Sequence, residues 1–288
     1  MNAPVELSVI IVNYNTVDLL RRCLGSLYAQ EGPSLEVFVV DNASTDQSVG
    51  MIRRDFPRVA LMANSDNVGF ARANNQALKA CRGRYVYFLN PDTEVARGAL
   101  EIMVSHMESH PRVGLAGTAL VYPDGTRQSS VEKRYPGQRY AGEELDHLDG
   151  DIAWVMGASM ITRRHIMAQM SGFDEKFFLY GEDLDLCLTI RKAGWSIGFI
   201  PEARVIHWGG QSERNHLPKD VFHKKLLAEL IFYEKHYTAH TVRAIKRARL
   251  MQALWRIITL NLALPLSRDR KACRMKLDKY WLTWREMI

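Results

Sequence analysis

The sequence predicts an α/β fold: a Rossmann-like, mainly parallel sheet flanked by helices, with a helical C-terminal extension. Apolar runs typical of strands alternate four times with helical patterns between residue 7 and residue 110. These runs are continuously apolar, as expected of strands that are buried on both faces of a parallel sheet. After Lys219 the pattern becomes helical.

The four predicted strands cover residues 7–12, 35–40, 59–62 and 85–89. A helix is predicted after each strand, and the fourth helix follows Thr93 and Glu94 and runs toward His110. The strands end in the polar sequences NYN, DNASTD, NSDN and NPDTE. Because ligands of doubly wound sheets bind beyond the carboxyl ends of the strands, we expect the functional site at this edge.

The second half of the chain is less regular. Strands are predicted over residues 113–122 and 195–200, with a shorter strand-like stretch at 203–206. Residues 135–151 have no period and predict a loop. A helix is predicted after Gly181, with Gly194 as its stop signal.

Composition and cysteine usage are those of a globular intracellular protein. Hydrophobic residues make up 47% of the 288 residues and charged residues 24%. The four cysteines lie far apart, which argues against a disulfide framework or a zinc site. No secretory signal is visible, and the apolar run 257–266 is half of the ~20 residues that a membrane span needs. We therefore expect a cytoplasmic protein.

The net charge of +6 is unevenly distributed, because most late Lys and Arg residues follow Lys219. One interpretation is that the extension faces an anionic surface, such as the inner face of a membrane. The alternative is an ordinary solvated helical face. Nucleic acid is not among the partners that we expect.

Two carboxylates stand where strands end. Asp92 follows the fourth strand, where it can bind a divalent cation or simply cap the next helix. Asp41 closes the second strand, where it can accept hydrogen bonds from a base or ribose. Its alternative role is also capping, with Ser44 and Asp46 as rivals.

Three carboxylates fall within four positions, in an otherwise apolar segment: Glu182, Asp183 and Asp185. Acidic residues stabilise a helix N-terminus in any case. However, crowding of carboxylates in an apolar setting also raises proton affinity, as a general base requires. These considerations do not decide between Glu182 and Asp183. His207 ends a strand-like stretch before Gly209 and Gly210, which suggests a mobile, closing loop.

The order of these motifs resembles that of the family 2 glycosyltransferases of the GT-A fold, particularly the rhamnosyltransferase-like members. The resemblance covers roughly residues 5–215 and rests on six segments, SVIIVNYNT, VVDNASTD, NVGFARANNQA, FLNPDTE, FDEKFFLYGEDLDLCLTIRKAGW and VIHWGGQS. It implies a glycosyltransferase domain over 1–215, with a nucleotide-binding half of about 1–112 and an acceptor half of about 113–215. Residues 216–288 form the basic helical extension.

The resemblance also implies residue roles. The nucleoside is surrounded by Tyr14, Asp41, Asn67 and Arg72, with Asp41 on the base. Asp92 binds Mg²⁺ or Mn²⁺ as the second acidic position of the family's DxD-type motif, whose first position is Asn90 here, and His207 approaches the metal or diphosphate. Trp154, Gly157 and Ala158 line the donor-sugar and acceptor pocket. Asp183 is the general base, with Glu182 beside it.

The implied reaction is inverting transfer of a sugar, such as rhamnose, from a dTDP- or UDP-sugar. The acceptor is a saccharide or lipid-linked saccharide in cell-envelope polysaccharide or glycolipid assembly. Two alternatives stay open: a nucleotidyltransferase, disfavoured because NYNTVDLL holds no glycine or lysine, and a non-catalytic nucleotide-sugar-binding relative. For the extension, Trp255, Trp281 and Trp284 suggest either peripheral membrane contact or packing, including against a second subunit in a homodimer.

Overall fold

A computed structural model describes residues 5–209, 218–267 and 269–288. Internal contacts divide the chain into two compact units, Met1–Tyr135 with Leu148–Gln211, and Pro136–His147 with Ser212–Ile288. The expected boundary between residues 215 and 216 lies outside the described residues. Residues 136–147, which the sequence places in the first domain, group with the C-terminal extension instead.

The first unit is built on an eight-stranded sheet. Two further strands of two residues each form a separate two-stranded sheet. The strands are β1 Leu7–Asn13, β2 Leu35–Asp41, β3 Ala60–Ala63, β4 Tyr85–Leu89, β5 Thr93–Val95, β6 Val113–Val121, β7 Val131–Glu132, β8 Trp154–Val155, β9 Ser159–Arg163 and β10 Ser196–His207. In the large sheet the order is β3-β2-β1-β4-β9-β6-β10-β5, while β7 and β8 pair with each other.

Strands β1 to β4 form the predicted parallel sheet, with β1 in its centre between β2 and β4. Strand β9 is antiparallel to both of its neighbours, β4 and β6. Strand β10 is parallel to β6, and β5 is antiparallel to β10 at the sheet edge. The prediction of a mainly parallel sheet with C-terminal helices is confirmed.

The described residues of this unit form the α-helices α1 Val17–Tyr28, α2 Ser48–Asp55, α3 Phe70–Leu78, α4 Ala99–Ser109, α5 Arg164–Gln169 and α6 Glu182–Lys192. Alternate residues of β1 enter two separate cores. Val9 and Ile11 pack in the core that includes α1 and α4, whereas Ile10 and Val12 pack in the core that includes α3 and α6. Both faces of the strand are therefore buried, which explains its continuous apolar sequence.

Two predicted elements differ from the structure. The segment after Asp92 does not enter a helix directly, because β5 pairs with the end of β10 before α4 begins at Ala99. The two stretches expected at 195–200 and 203–206 are one long strand, β10, with an irregularity between Ile200 and Arg204. Both differences arise from pairing between residues far apart in sequence.

Where the structure describes the second unit, its long helices are α7 Pro218–His236, α8 Ala239–Ala263 and α9 Arg270–Met287. Thr238 caps α8 by accepting a hydrogen bond from the amide of Thr241, and Asp269 caps α9 in the same manner through Ala272. Glu144 accepts from the Thr238 hydroxyl at 2.7 Å, which ties the 136–147 segment to the start of α8. Among the described helices, none is sufficiently long and apolar to span a membrane.

A buried amide fixes the loop that leads into α6. The Asn75 side chain donates to the Phe173 carbonyl at 2.9 Å and accepts from the Phe173 amide at 2.8 Å. Both residues are buried, so neither partner can exchange this pair for water. Helix α3 thereby holds the start of the segment that carries Glu182 and Asp183.

Asn75→Ala should lower the free energy of unfolding by about 2 kcal/mol, because it leaves buried backbone groups of Phe173 unpaired. Urea unfolding monitored by circular dichroism measures this loss. Lys79→Ala, at the exposed end of the same helix, is the matched control and should change stability little. Equal stability of the two variants would contradict the role of the amide.

Candidate active site

The loops that follow β1 and β2 are joined around a buried carboxylate. Asp41 is 1% exposed, and its carboxylate accepts hydrogen bonds from the Asn13 side chain (2.7 Å), the Ser44 hydroxyl (2.7 Å) and the Ser44 amide (2.9 Å). These bonds fix the shape of the loop before any ligand binds. The capping role falls instead to Asp46, which accepts from the amides of Val17 and Ser48 at the starts of α1 and α2.

Backbone strain marks the same loops. Asn15 and Ala43 have positive φ angles of 55° and 61°, a conformation that costs free energy for residues other than glycine. The Asn15 side-chain oxygen accepts from the Thr45 amide at 2.7 Å, which offsets part of this cost. Such strained, internally bonded loops are typical of preformed binding sites.

The remaining expected nucleoside residues are exposed. Tyr14 is 47% exposed, the Arg72 side chain is 62% exposed, and Asn67 is also exposed while it accepts from the Gly69 amide at 3.0 Å. Sequence reasoning missed Asn42, whose buried amide donates to the Gly69 carbonyl at 3.2 Å. Asn42 follows Asp41 directly, so its place at a strand end was the signal that could have identified it.

Asp92 and His207 meet although they are far apart in sequence. The Asp92 Oδ1 and His207 Nε2 atoms lie 3.5 Å apart, and the two side chains are 6% and 10% exposed. The other ring nitrogen, Nδ1, lies 2.9 Å from Gln128 Oε1, and this contact orients the imidazole toward Asp92. The Trp208 amide donates to the Asp92 carbonyl at 2.9 Å.

The Asp92–His207 pair fits a divalent cation as part of a coordination shell, because it offers one carboxylate and one imidazole on adjacent strand ends. Within 5–209, 218–267 and 269–288, no cluster of three or more His, Cys, Asp or Glu side chains is arranged to hold a metal. A cation bound here would therefore need ligands from a substrate, such as a diphosphate, and from water. Residues 210–212 of the expected closing loop lie outside the described residues.

Backbone amides hold the Asp183 side chain, and one of them belongs to the turn just before β9. Its Oδ2 atom accepts from the Gly157 amide at 2.9 Å, and its Oδ1 atom accepts from the Leu184 amide at 2.8 Å. A side chain on Gly157 would come within 3.2 Å of the Asp183 Cβ atom, so glycine permits this close approach. The two residues before helix α6 have a left-handed backbone conformation, with φ angles of 72° at Tyr180 and 82° at Gly181.

Burial separates the proton affinities of the two adjacent carboxyl groups. Burial, followed by repulsion from Asp183 and Asp185, raises the pKa of Glu182 to about 8. Burial also raises the pKa of Asp183, but the hydrogen bonds from Gly157 and Leu184 oppose this effect. Glu182 Oε2 is buried with no hydrogen-bond partner among the described residues. Of the two carboxyl groups, Glu182 therefore has the stronger tendency to keep a proton, because no hydrogen bond from a described residue opposes the effect of burial at its Oε2 atom.

The turn between β8 and β9 connects Asp183 to the end of β4, which precedes Asp92. The Asn90 amide donates to the Ala158 carbonyl at 2.9 Å, and Ala158 adjoins Gly157, which binds Asp183. Trp154 is half-buried on β8, and its indole nitrogen is buried without a partner among the described residues. The expected site residues thus lie on strand ends, on connecting turns and in the first turns of α3 and α6 of the first unit.

Comparison with known proteins identifies the class. The sequence model described as "Glycosyl transferase family 2" matches residues 8–170, which is more than half of the chain. The protein belongs to this family.

A curated relative is similar to most of the chain. The N-acetylglucosaminyl-diphospho-decaprenol L-rhamnosyltransferase of Mycobacterium tuberculosis (strain CDC 1551 / Oshkosh) is 27% identical over 231 residues, which are 70% of this chain and 75% of the relative. The motifs resemble those of rhamnosyltransferase-like members of the family, and this overall sequence similarity supports that resemblance.

Solved structures of glycosyltransferases share the fold. A mannosyltransferase from Pyrobaculum calidifontis, in complex with GDP-Man and Mn²⁺, has a TM-score of 0.62 at 19% identity and covers 99% of this chain and 89% of its own. TarS of S. aureus, in complex with UDP-GlcNAc, has a TM-score of 0.57 at 17% identity and covers 98% and 90%. The GT-A fold expected from the motifs is confirmed.

The raised pKa of Glu182 predicts a pH-dependent loss of stability. Between its ordinary pKa of about 4.5 and about 8, the folded state binds a proton that the unfolded state has released, so stability falls as pH rises. Glu182→Gln cannot ionise, so its free energy of unfolding should fall less than that of the wild type over this range. Urea unfolding at both ends of the range measures the difference. Parallel pH profiles for both proteins would refute the assignment of the proton.

Proposed function

We propose that the protein is an inverting, metal-dependent glycosyltransferase that moves a sugar from a dTDP- or UDP-sugar to an acceptor hydroxyl. The observation that carries this proposal is the Asp183 carboxyl group, which accepts hydrogen bonds from the Gly157 and Leu184 amides beside the buried Glu182. The sugar that we favour is rhamnose, and the acceptor a saccharide or lipid-linked saccharide of the cell envelope. The similarity to a rhamnosyltransferase that acts on a lipid-linked sugar supports both choices.

Asp183 acts as the general base in this proposal. Each of its oxygens accepts one backbone hydrogen bond, which leaves lone pairs to accept the proton of an acceptor hydroxyl. Glu182 keeps a second negative charge away from the base while it stays protonated. Inversion follows if the hydroxyl attacks the anomeric carbon from the face opposite the departing diphosphate.

Asp92 and His207 bind the cation in this proposal, together with the diphosphate. The metal, when bound, neutralises charge on the departing nucleoside diphosphate. We favour Mn²⁺ over Mg²⁺, because an imidazole ligand suits a transition metal better than magnesium. Asn90, where a second carboxylate is usual, can contribute an amide oxygen but no charge, so affinity depends on the diphosphate.

The donor's nucleoside lies against Tyr14, Asp41, Asn67 and Arg72 in this proposal. Asp41 already accepts three hydrogen bonds from its own chain, so it serves mainly as a preorganised acceptor for the base. The exposed Tyr14 ring and Arg72 guanidinium supply stacking and charge. Trp154, Gly157 and Ala158 line the sugar and acceptor pocket. The family membership gives no support to the nucleotidyltransferase alternative.

Asp183→Asn should lower kcat by a factor of about 10²–10⁴, the range expected for loss of a general base. Donor binding should stay nearly unchanged, because the base acts in the transition state. The assay measures release of free nucleoside diphosphate from dTDP-rhamnose or a UDP-sugar with a lipid-linked saccharide. Asp185→Asn, two residues further along α6 and so on another side of the helix, is the matched control. Wild-type turnover by Asp183→Asn would exclude this residue as the base, and an inactive wild-type protein that still binds donor would favour the non-catalytic relative.

His207→Ala should weaken Mn²⁺ binding in the presence of UDP by roughly tenfold or more, because it removes a direct ligand. Electron paramagnetic resonance of free Mn²⁺ measures this binding without turnover. His110→Ala, on an exposed histidine beyond α4, should leave the affinity unchanged. If both variants bind Mn²⁺ equally, His207 is not a ligand.

A further inference from the structure

Helix α8 carries an exposed apolar row opposite its packed face. Met251, Leu254, Trp255, Ile258 and Leu262 recur every three or four residues and are 74%, 47%, 66%, 48% and 73% exposed. The buried residues of the helix, Ile245, Ala253, Ile257 and Leu260, lie on the opposite side. Contiguous apolar surface of this kind marks an interaction site.

The charge on α8 is of one sign. The helix contains five basic residues and no acidic residue. Arg243 and Arg247 are exposed and precede Met251 at four-residue intervals, so they extend the same row toward its N-terminal end. The other three turn toward the packed side, where Lys246 and Arg249 pair with Glu234 and Glu229, and Arg256 lies over the Tyr280 ring.

The other end of the apolar row is also basic. Cys273 on α9 is buried, and its Sγ atom lies 3.7 Å from the Leu260 carbonyl, which places the first turns of α9 beside the end of α8. These turns expose four cations, Arg270, Lys271, Arg274 and Lys276. The apolar row is therefore bracketed by cations at both ends.

We propose that this face of α8, with the first turns of α9, binds the surface of an anionic lipid bilayer. In this arrangement the helix lies in the plane of the interface, with its apolar row among the acyl chains and its flanking cations on lipid phosphates. A second copy of the chain fits less well. Because both ends of the row are basic, parallel or antiparallel pairing of two such faces brings cations against cations. Duplex nucleic acid would satisfy the cations and leave the apolar row in water.

The structure separates the three tryptophans of the extension. Trp255 lies in the exposed row, whereas Trp281 and Trp284 line a separate cavity of about 380 Å³. The proposal therefore assigns membrane contact to Trp255 and not to Trp281, although Trp281 is also exposed, at 51% against 66% for Trp255. If the helix binds the bilayer, it keeps the enzyme at a surface that holds lipid-linked acceptors, and this consequence rests on the proposed function. The lipid contact itself does not rest on the proposed function.

The test is sedimentation of the whole chain with vesicles of mixed phosphatidylglycerol and phosphatidylcholine. Trp255→Gln should lower the partition coefficient about tenfold, because the apolar row loses its largest member. Trp281→Gln is the matched control. Its partition coefficient should stay within about twofold of the wild-type value, because the apolar row on α8 is intact. Arg243→Gln with Arg247→Gln should weaken binding roughly tenfold, and added salt should weaken wild-type binding. Circular dichroism checks that each variant is folded.

Several outcomes would overturn the proposal. Absence of binding to the mixed vesicles at low salt removes it, as does equal binding to pure phosphatidylcholine vesicles. Equal losses for the two tryptophan variants would refute the assignment to α8. A dimer in analytical ultracentrifugation that Trp255→Gln dissociates would assign the face to a second copy. Tighter binding to duplex DNA than to the vesicles would assign it to nucleic acid. Each readout is independent of glycosyl transfer, so its failure leaves the proposed reaction to be judged separately.

Discussion

The hydrogen bond from the Gly157 amide to the Asp183 carboxylate is the constraint on which the proposed site depends. It fixes the start of α6 against the turn before β9, and the neighbouring Ala158 carbonyl is bound in turn by the Asn90 amide. Because β9 is antiparallel to β4, this turn lies where the parallel strands end. A carboxylate suited to accept a proton is thereby tied to the strand that presents Asp92. The same bond opposes the rise in the pKa of Asp183.

Much of the fold followed from local pattern. Continuous apolar runs identified the first four strands, since β1 contributes alternate residues to two cores and needs apolar side chains on both faces. The inserted β9, the three-residue β5 and the unbroken β10 could not be predicted in the same manner. Their existence depends on pairing across long separations in sequence, such as Val95 with Val205, and no local signal specifies these partners. The grouping of residues 136–147 with the extension depends likewise on a distant partner, Thr238.

Some residues of the proposed site could be predicted from the sequence pattern, whereas others required the family resemblance or the structure. Asp41 and Asp92 stand at strand ends, so topology alone placed them at the ligand edge. The choice of Asp183 over Glu182 required the resemblance to a family, and the structure adds a physical reason: only Asp183 accepts the Gly157 amide. The contact between His207 and Asp92, and its support from Gln128, arises from the meeting of β10 with the β4–β5 turn. Asn13 and Asn42 also stand at strand ends, but their side-chain contacts with Asp41 and with the Gly69 carbonyl join residues far apart in sequence, which local pattern does not specify.

The proposed reaction requires a preformed site for a nucleoside diphosphate that a divalent cation completes. Thermal unfolding in the presence of UDP, dTDP, GDP and their sugars, each with and without Mn²⁺, tests it directly, because a ligand that binds only the folded state raises stability by ~2.7 kcal/mol at a hundredfold excess over its Kd. We expect dTDP or UDP compounds to raise the Tm in a Mn²⁺-dependent manner. A folded protein whose Tm responds to none of these ligands, with or without metal, would contradict it.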